Sequence, residues 1–334
     1  MKVFVEQKPM RIDCHVHVVG NGSGGTGCWF RPRGLARFAA PWLLRSVGLP
    51  RAALAGELDR LYAENVLRFV RESSLDAAVI LAHDEAYRED GTRIEAAGPF
   101  YVPNDFVLGL ARVHPEFLPA VSSHPARRDA RDELERCIAA GAVMLKCLPN
   151  CQNIDWNDRR YTRFLERMAE SGLVLLAHTG SERVLPVVAP RLADPRVRTR
   201  ALEIGVTCIA AHSATSLRAL DPDYFEVFVA LLRRFPRLYG DNSGLATPNF
   251  RLWRSRLRAV LSPEMCGRII HGSDVPIPVN GVGLWALGMI PWREWRASAA
   301  NPNPLERDLQ LKRALGFPAE TVTRLAGLLR RVAA

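Results

Sequence analysis

Short apolar runs alternate with amphipathic stretches along most of these 334 residues, and no other feature restricts the fold as much. The strand-like runs fall within 11–20, Ala77–His83, Ala120–His124, Ala142–Leu148, Leu173–His178, Val206–His212, Leu238–Asn242 and Arg268–Asp274. Between them, Leu58, Leu61, Tyr62, Val66, Phe69 and Val70 form a helical stripe in 54–73. Further helical patterns cover Asn104–Val113, Ala130–Ala140, Arg159–Ser171, Ser181–Ala193, Arg196–Gly205 and Asp223–Phe235, and an amphipathic tail spans Ala319–Val332. Strands alternating with helices imply βαβ units and a parallel sheet. Eight such units imply a closed (β/α)8 TIM barrel of the α/β class, which routinely makes one domain at this length. The expected organisation is a single domain over 1–334, with a long Pro- and Trp-rich loop after the eighth strand, about 276–304. Such a loop serves as a lid or packs over the barrel mouth.

A hydrophobic content of 48% and a charged content of 24% are ordinary for a globular chain with a large core, which argues against disorder. The net charge of +10 is carried by arginines interleaved with acids, without the basic block that nucleic-acid binding favours. Seven scattered cysteines, several inside apolar runs, read as small buried hydrophobes in a reducing compartment. No secretory core or membrane-spanning run is apparent, so a cytoplasmic protein is expected. Lysine occurs only at Lys2, Lys8, Lys146 and Lys312, so each one invites a reason.

The first strand reads Arg11-Ile12-Asp13-Cys14-His15-Val16-His17-Val18-Val19-Gly20. Residues of equal parity share a strand face, which groups Asp13, His15 and His17 opposite Ile12, Cys14, Val16 and Val18. Two imidazoles about 7 Å apart on one face can reach one metal ion, or they can be buried and bonded to carbonyls. Asp13, deeper in the strand, would then orient an imidazole. Chemically able residues also end later strands: Lys146, His178, His212 and Asp274. Barrel enzymes keep their sites at that rim, and five strands supplying it favour a site over coincidence.

Asp-x-His-x-His on the first strand, His178-Thr179-Gly180 on the fifth, Ala211-His212 on the sixth and Gly272-Ser273-Asp274-Val275-Pro276 on the eighth resemble the amidohydrolase superfamily. The similarity is to its family 2-like branch, which includes amide and lactone hydrolases and some decarboxylases. It implies that His15, His17, His178 and Asp274 hold a divalent metal, zinc being the expected ion, with one or two ions bound. It also implies that Asp274 takes the proton from the activated water. His212 would bind a second ion or act as acid, base or oxyanion support, and Lys146 stands where some members carry a carboxylated lysine. The residues alone leave Lys146 open as a carbamate, as an uncarboxylated anion binder or as a core ion-pair partner; a carbamate needs the neutral amine that Lys, unlike Arg, can supply. Glu182, Asn150 and Gln152 lie on loops that should face substrate, or they cap helices; His83 and His124 are weaker candidates.

The implied activity is metal-dependent hydrolysis of an amide, lactone or ester bond in a small molecule, with non-oxidative decarboxylation of a small carboxylic acid as the alternative. Gly20, Gly22 and Gly25 satisfy the G-x-G-x-x-G spacing of nicotinamide enzymes, but no helix-starting sequence follows, and a loop beside the site explains them as well. The expected partner is a small-molecule substrate, with neither nucleic acid nor membrane; self-association into a homo-oligomer is compatible with the sequence.

Overall fold

The computed structural model describes residues 8–32, 36–95, 98–180, 182, 185–215, 222–246 and 261–330. Eight parallel strands pair in chain order: β1 (Ile12–His17), β3 (Ala77–Leu81), β5 (Phe117–Val121), β6 (Met144–Cys147), β7 (Val174–Ala177), β8 (Cys208–Ala210), β9 (Leu238–Asp241) and β10 (Ile269–Ile270). The remaining two, β2 (Trp29–Phe30) and β4 (Phe100–Tyr101), form a separate antiparallel ribbon. The ring closes through single bonds between β1 and the residues after β10. Cys14 N donates to His271 O, His17 N to Val275 O and Asp274 N to His15 O, each at 2.9 Å. The fold is a (β/α)8 TIM barrel.

Ile12, Cys14, Val79, Met144, Leu176, Ile209 and Ile270 fill the barrel interior, in the layered packing of branched side chains that such barrels require. The alternate residues, among them Val16, Ile80, Leu145, Cys147 and Leu175, face the helices. The helix Leu58–Arg71 buries Leu58, Tyr62, Val66, Phe69 and Val70. It starts with Asp59 and ends with Arg68 and Arg71, charges that suit its dipole. In the expected helix Ser181–Ala193, the described residues form only a 3-10 turn, Pro190–Ala193. Pro186 and Pro190 lack the N–H groups that a continuous helix would use.

After β10 the chain runs through the helices Val282–Ala286, Trp292–Ala300 and Pro304–Ala314. Trp285, Trp292 and Trp295 pack against one another, with ring centroids 4.9 Å apart for Trp285 and Trp292, 5.3 Å for Trp285 and Trp295 and 4.6 Å for Trp292 and Trp295; only Trp285 and Trp295 are stacked. Among the described residues no helix is long and apolar enough to cross a membrane.

Candidate metal centre

The register of β1 sets the site. Ile12 pairs with Ala77 and Asp13 with Ala78, then Val16 pairs with Ile80 and His17 with Leu81. Three steps along β1 therefore cover two along β3, a β-bulge of the kind that re-aims side chains beside active sites. Before the bulge Ile12 points inward and Asp13 outward with Ala78; after it Val16 points outward with Ile80, and His17 inward with Leu81. The expected shared face of Asp13, His15 and His17 is thus corrected: Asp13 looks toward the helix layer. Among the described residues no imidazole hydrogen-bonds to it. Instead its Oδ1 accepts the backbone N–H groups of His15 and Ser273, each at 3.0 Å.

Inside the rim, Asp274 Oδ1 lies 3.3 Å from His15 Nε2 and 3.2 Å from His17 Nε2. Ligand atoms about 2.0–2.1 Å from a tetrahedral ion stand roughly 3.3 Å from one another, so these three residues fit a divalent metal. Lys146 projects inward with Met144, and its Nζ is 3.0 Å from His15 Nε2. Burial pushes its ammonium below the ordinary value, toward the neutral amine that can bind a metal or form a carbamate. Burial also pushes His15 down to about 3, leaving its ring neutral. Burial alone would raise Asp274, but the imidazoles of His15 and His17 hold it well below the carboxylate range. Asp274 has φ 65°, a left-handed conformation that non-glycine residues adopt at a cost and that clusters at functional sites.

A residue missed by the sequence reading organises this group. Asp241, at the end of β9 and fully buried, accepts His15 Nδ1–H through Oδ2 at 2.9 Å. Its Oδ1 accepts from His212 N at 2.7 Å, Ser243 N at 3.1 Å and Ser243 Oγ at 2.5 Å. Despite burial, the His15 contact holds Asp241 well below its usual range. An ionised acceptor at Nδ1 puts the His15 proton there and leaves Nε2 as a lone pair aimed at Asp274 and Lys146, which is what a ligand requires. The signal available in the sequence was a carboxylate at the C-terminal end of a barrel strand.

The same carboxylate reaches His212 indirectly. Ser243 Oγ gives its proton to Asp241 and lies 2.8 Å from His212 Nδ1, so it accepts from that nitrogen. In the neutral ring Nε2 then carries the lone pair. His212, with φ 59°, opens a run of three left-handed residues through Ala214. The rings form a row, with centroids 5.1 Å apart for His17 and His15, 5.4 Å for His15 and His212, and 5.0 Å for His212 and His178. His178 Nε2 is buried, has no hydrogen-bond partner among the described residues and lies 3.8 Å from Glu182 Oε2. An orphaned neutral imidazole nitrogen in this position is what a metal ligand looks like before an ion binds.

A cavity of about 520 Å³ has walls that include Trp29, Arg31, His83, Phe100, Gln152 and Leu185. His83, in this wall, stacks on Phe100 with ring centroids 4.4 Å apart. Gln152 reaches this wall with both ends of its amide bonded to backbone, Oε1 to Leu148 N at 2.7 Å and Nε2 to Asp84 O at 2.9 Å. Asn150 is buried, with Oδ1 unpartnered among the described residues. His124 is committed to the backbone, Nε2 to Gln152 O at 2.8 Å and Nδ1 to Ala126 N at 3.1 Å. No described residue of 276–304 lines the cavity.

The glycine loop is already filled. Asn21 N and Gly22 N donate to the buried Asp59 carboxylate at 2.7 and 3.2 Å, and the hydroxyls of Ser23 and Thr26 donate to it as well. A fixed negative charge occupies the place a pyrophosphate would need, and no helix opens on Gly25. The nicotinamide expectation therefore loses its structural basis.

The sequence model of amidohydrolase family 2 matches residues 12–301. The chain belongs to that family. Its fold is similar to that of an uncharacterised TIM-barrel protein from Bordetella bronchiseptica, with a TM-score of 0.58 at 16% identity over 95% of this chain and 99% of the other. A putative 2-pyrone-4,6-dicarboxylic acid hydrolase from Pseudomonas putida gives 0.56 at 15% identity over 96% and 98%. IDCase from Metarhizium anisopliae gives 0.51 at 12% identity over 97% of each chain. Identities this low speak for the barrel alone. No curated protein matches the chain.

Proposed function

We propose that this amidohydrolase-family chain is a divalent-metal-dependent hydrolase that opens an amide, lactone or ester bond of a small molecule. The reading is carried by the convergence of His15, His17 and Asp274, whose ligand atoms all lie within 4.8 Å of one another. We take His178, whose ring Nε2 has no hydrogen-bond partner among the described residues, as a fourth ligand; Lys146 Nζ lies 3.0 Å from His15 Nε2 and is the next candidate. Imidazole and carboxylate donors suit zinc. An ion held there supplies a water of pKa about 7 and a polarised substrate carbonyl.

This chain's residues supply the rest. Asp274, ionised beside two imidazoles, accepts the proton of the attacking water and returns it to the leaving group. Asp241 holds His15 in the tautomer that presents Nε2. His212, its Nδ1 proton fixed by Ser243, offers an electron pair at Nε2. It therefore serves as ligand or base, and donates to an oxyanion only once protonated.

Decarboxylation of a small carboxylic acid is the second reading, and one observation favours it. Arg31 lies on the cavity wall 5.3 Å from the Trp29 ring centroid, without a carboxylate partner among the described residues, and can hold a substrate carboxylate. The test is turnover of a panel of lactones, esters, amides and small acids by chelator-treated and Zn2+-reloaded protein, with products identified by mass. The first reading expects hydrolysis products that vanish on chelation. Carbon dioxide release without a hydrolytic product transfers the assignment to the second, and undiminished turnover after chelation rejects both.

A further inference from the structure

Two of the chain's four lysines, Lys146 and Lys312, are buried, and only the first points into the barrel. Lys312 sits on the helix Pro304–Ala314, against the outer side of the strands. Its Nζ donates to Asp308 Oδ2, one turn earlier, and to Gly272 O, both at 2.5 Å. Asp13 meets the same segment as this pair: it accepts the N–H of Ser273 while Lys312 holds the neighbouring Gly272 carbonyl, and His271 Nε2 lies 3.9 Å from its Oδ2. Asp13, His271, Asp308 and Lys312 are each no more than 1% exposed.

Burying one ammonium among two carboxylates is weak means of stabilising a fold, since desolvation offsets the attraction. What the cluster touches gives a better reason for it. Asp13 Oδ1 takes one N–H from each side of the barrel's closing seam: from His15 on β1 and from Ser273, the residue before Asp274. Lys312 holds the carbonyl of Gly272, two residues before Asp274. At this seam the sheet has only single bonds, and the strands approach so closely that a Cβ on Gly272 would lie 2.8 Å from His15 Cβ. The spacing between the β1 ligands and Asp274 is decided here.

We infer that Asp13, Asp308 and Lys312 are positioning residues for the metal centre, clamping the seam between β1 and the Gly272–Asp274 segment from the outer side of the barrel. The inference rests on the metal reading above. None of the three touches the ion's place or the substrate cavity; they act through the backbone on either side of His15 and Asp274.

The test is the Zn2+ affinity of chelator-treated full-length protein, measured by competition with a chromogenic chelator, together with the absorption spectrum of the Co2+-loaded form. Lys312→Met and Asp13→Ala should weaken Zn2+ binding by about 10–100-fold, the usual cost of losing an outer partner of a metal site, and alter the Co2+ spectrum. Asp13→Asn keeps an oxygen for the two N–H groups and should bind Zn2+ within about threefold of the parent. Leu309→Ala, a buried apolar change on the same helix, should lower the melting temperature and leave affinity unchanged. Parental affinity in both Lys312→Met and Asp13→Ala overturns the inference, and so does an equal loss in Leu309→Ala. Should Lys312→Met not fold, the Asp13→Ala and Asp13→Asn pair decides by the same criterion. A parent chain that binds no Zn2+ overturns the metal reading itself, a distinguishable result.

Discussion

Replacing Asp241 with asparagine changes no volume and removes one charge, which makes it a clean probe of how the site is organised. Its carboxylate accepts four hydrogen bonds, and one of them, from His15 Nδ1 at 2.9 Å, sets which ring nitrogen is free. Asparagine can keep its oxygen toward His212 N and Ser243, but its NH2 group then faces His15 Nδ1. That contact survives only if the His15 proton moves to Nε2, the wrong nitrogen for a ligand. A hydrogen bond to a charged group is worth about 1.5–3 kcal/mol. At about 1.4 kcal/mol per factor of ten, Zn2+ affinity should fall by roughly 10–150-fold. Chelator competition on Asp241→Asn and parent, below the melting temperature of both, reads this directly, and kcat/KM should fall in parallel. Affinity within about twofold of the parent would refute the tautomer argument, because an isosteric change should matter only through charge and proton placement.

Lys146→Arg places a permanent cation beside His15 Nε2 where burial favours a neutral amine, so Zn2+ uptake and turnover should both drop by at least about tenfold. Asp59→Ala removes the acceptor around which 21–26 folds; urea unfolding should show a loss of about 1–3 kcal/mol, and nicotinamide cofactors should fail to bind parent and variant alike. Burial lowers His124 from 6.5 to about 4, so the unfolded chain binds this proton first as the pH falls. Its contribution to stability is complete above 6.5 and is lost on the way down to about 4, at up to about 1.4 kcal/mol per pH unit. Urea unfolding across that window should therefore show a shallower pH slope in His124→Gln.

Periodicity reports burial, and burial is what makes a barrel, so the eight strands and the helix Asn104–Val113 were legible in the sequence. The stretch Ser181–Ala193 was misread because apolar spacing was followed across Pro186 and Pro190, which break the bonding such spacing presupposes. The placement of Asp13 was misread for a different reason. Parity along one strand assumes an even ladder, and the bulge is a property of the β1–β3 pair that neither strand displays alone. Asp241 was within reach: Leu238–Asn242 ends in a carboxylate at the functional rim, but Gly240-Asp241-Asn242 also has turn chemistry, and only the contact with His15 separates the two. The commitment of His124 and Gln152 to backbone partners is likewise a matter of three dimensions.

The most direct measurement is a crystal structure of Zn2+-loaded protein with anomalous data collected at the zinc edge. An anomalous peak is expected within about 2.0–2.2 Å of His15 Nε2, His17 Nε2 and an Asp274 oxygen, with His178 Nε2 turned toward it. Zinc-loaded crystals without a peak at that position, and with Asp274 still in direct contact with both imidazoles, would contradict the metal reading.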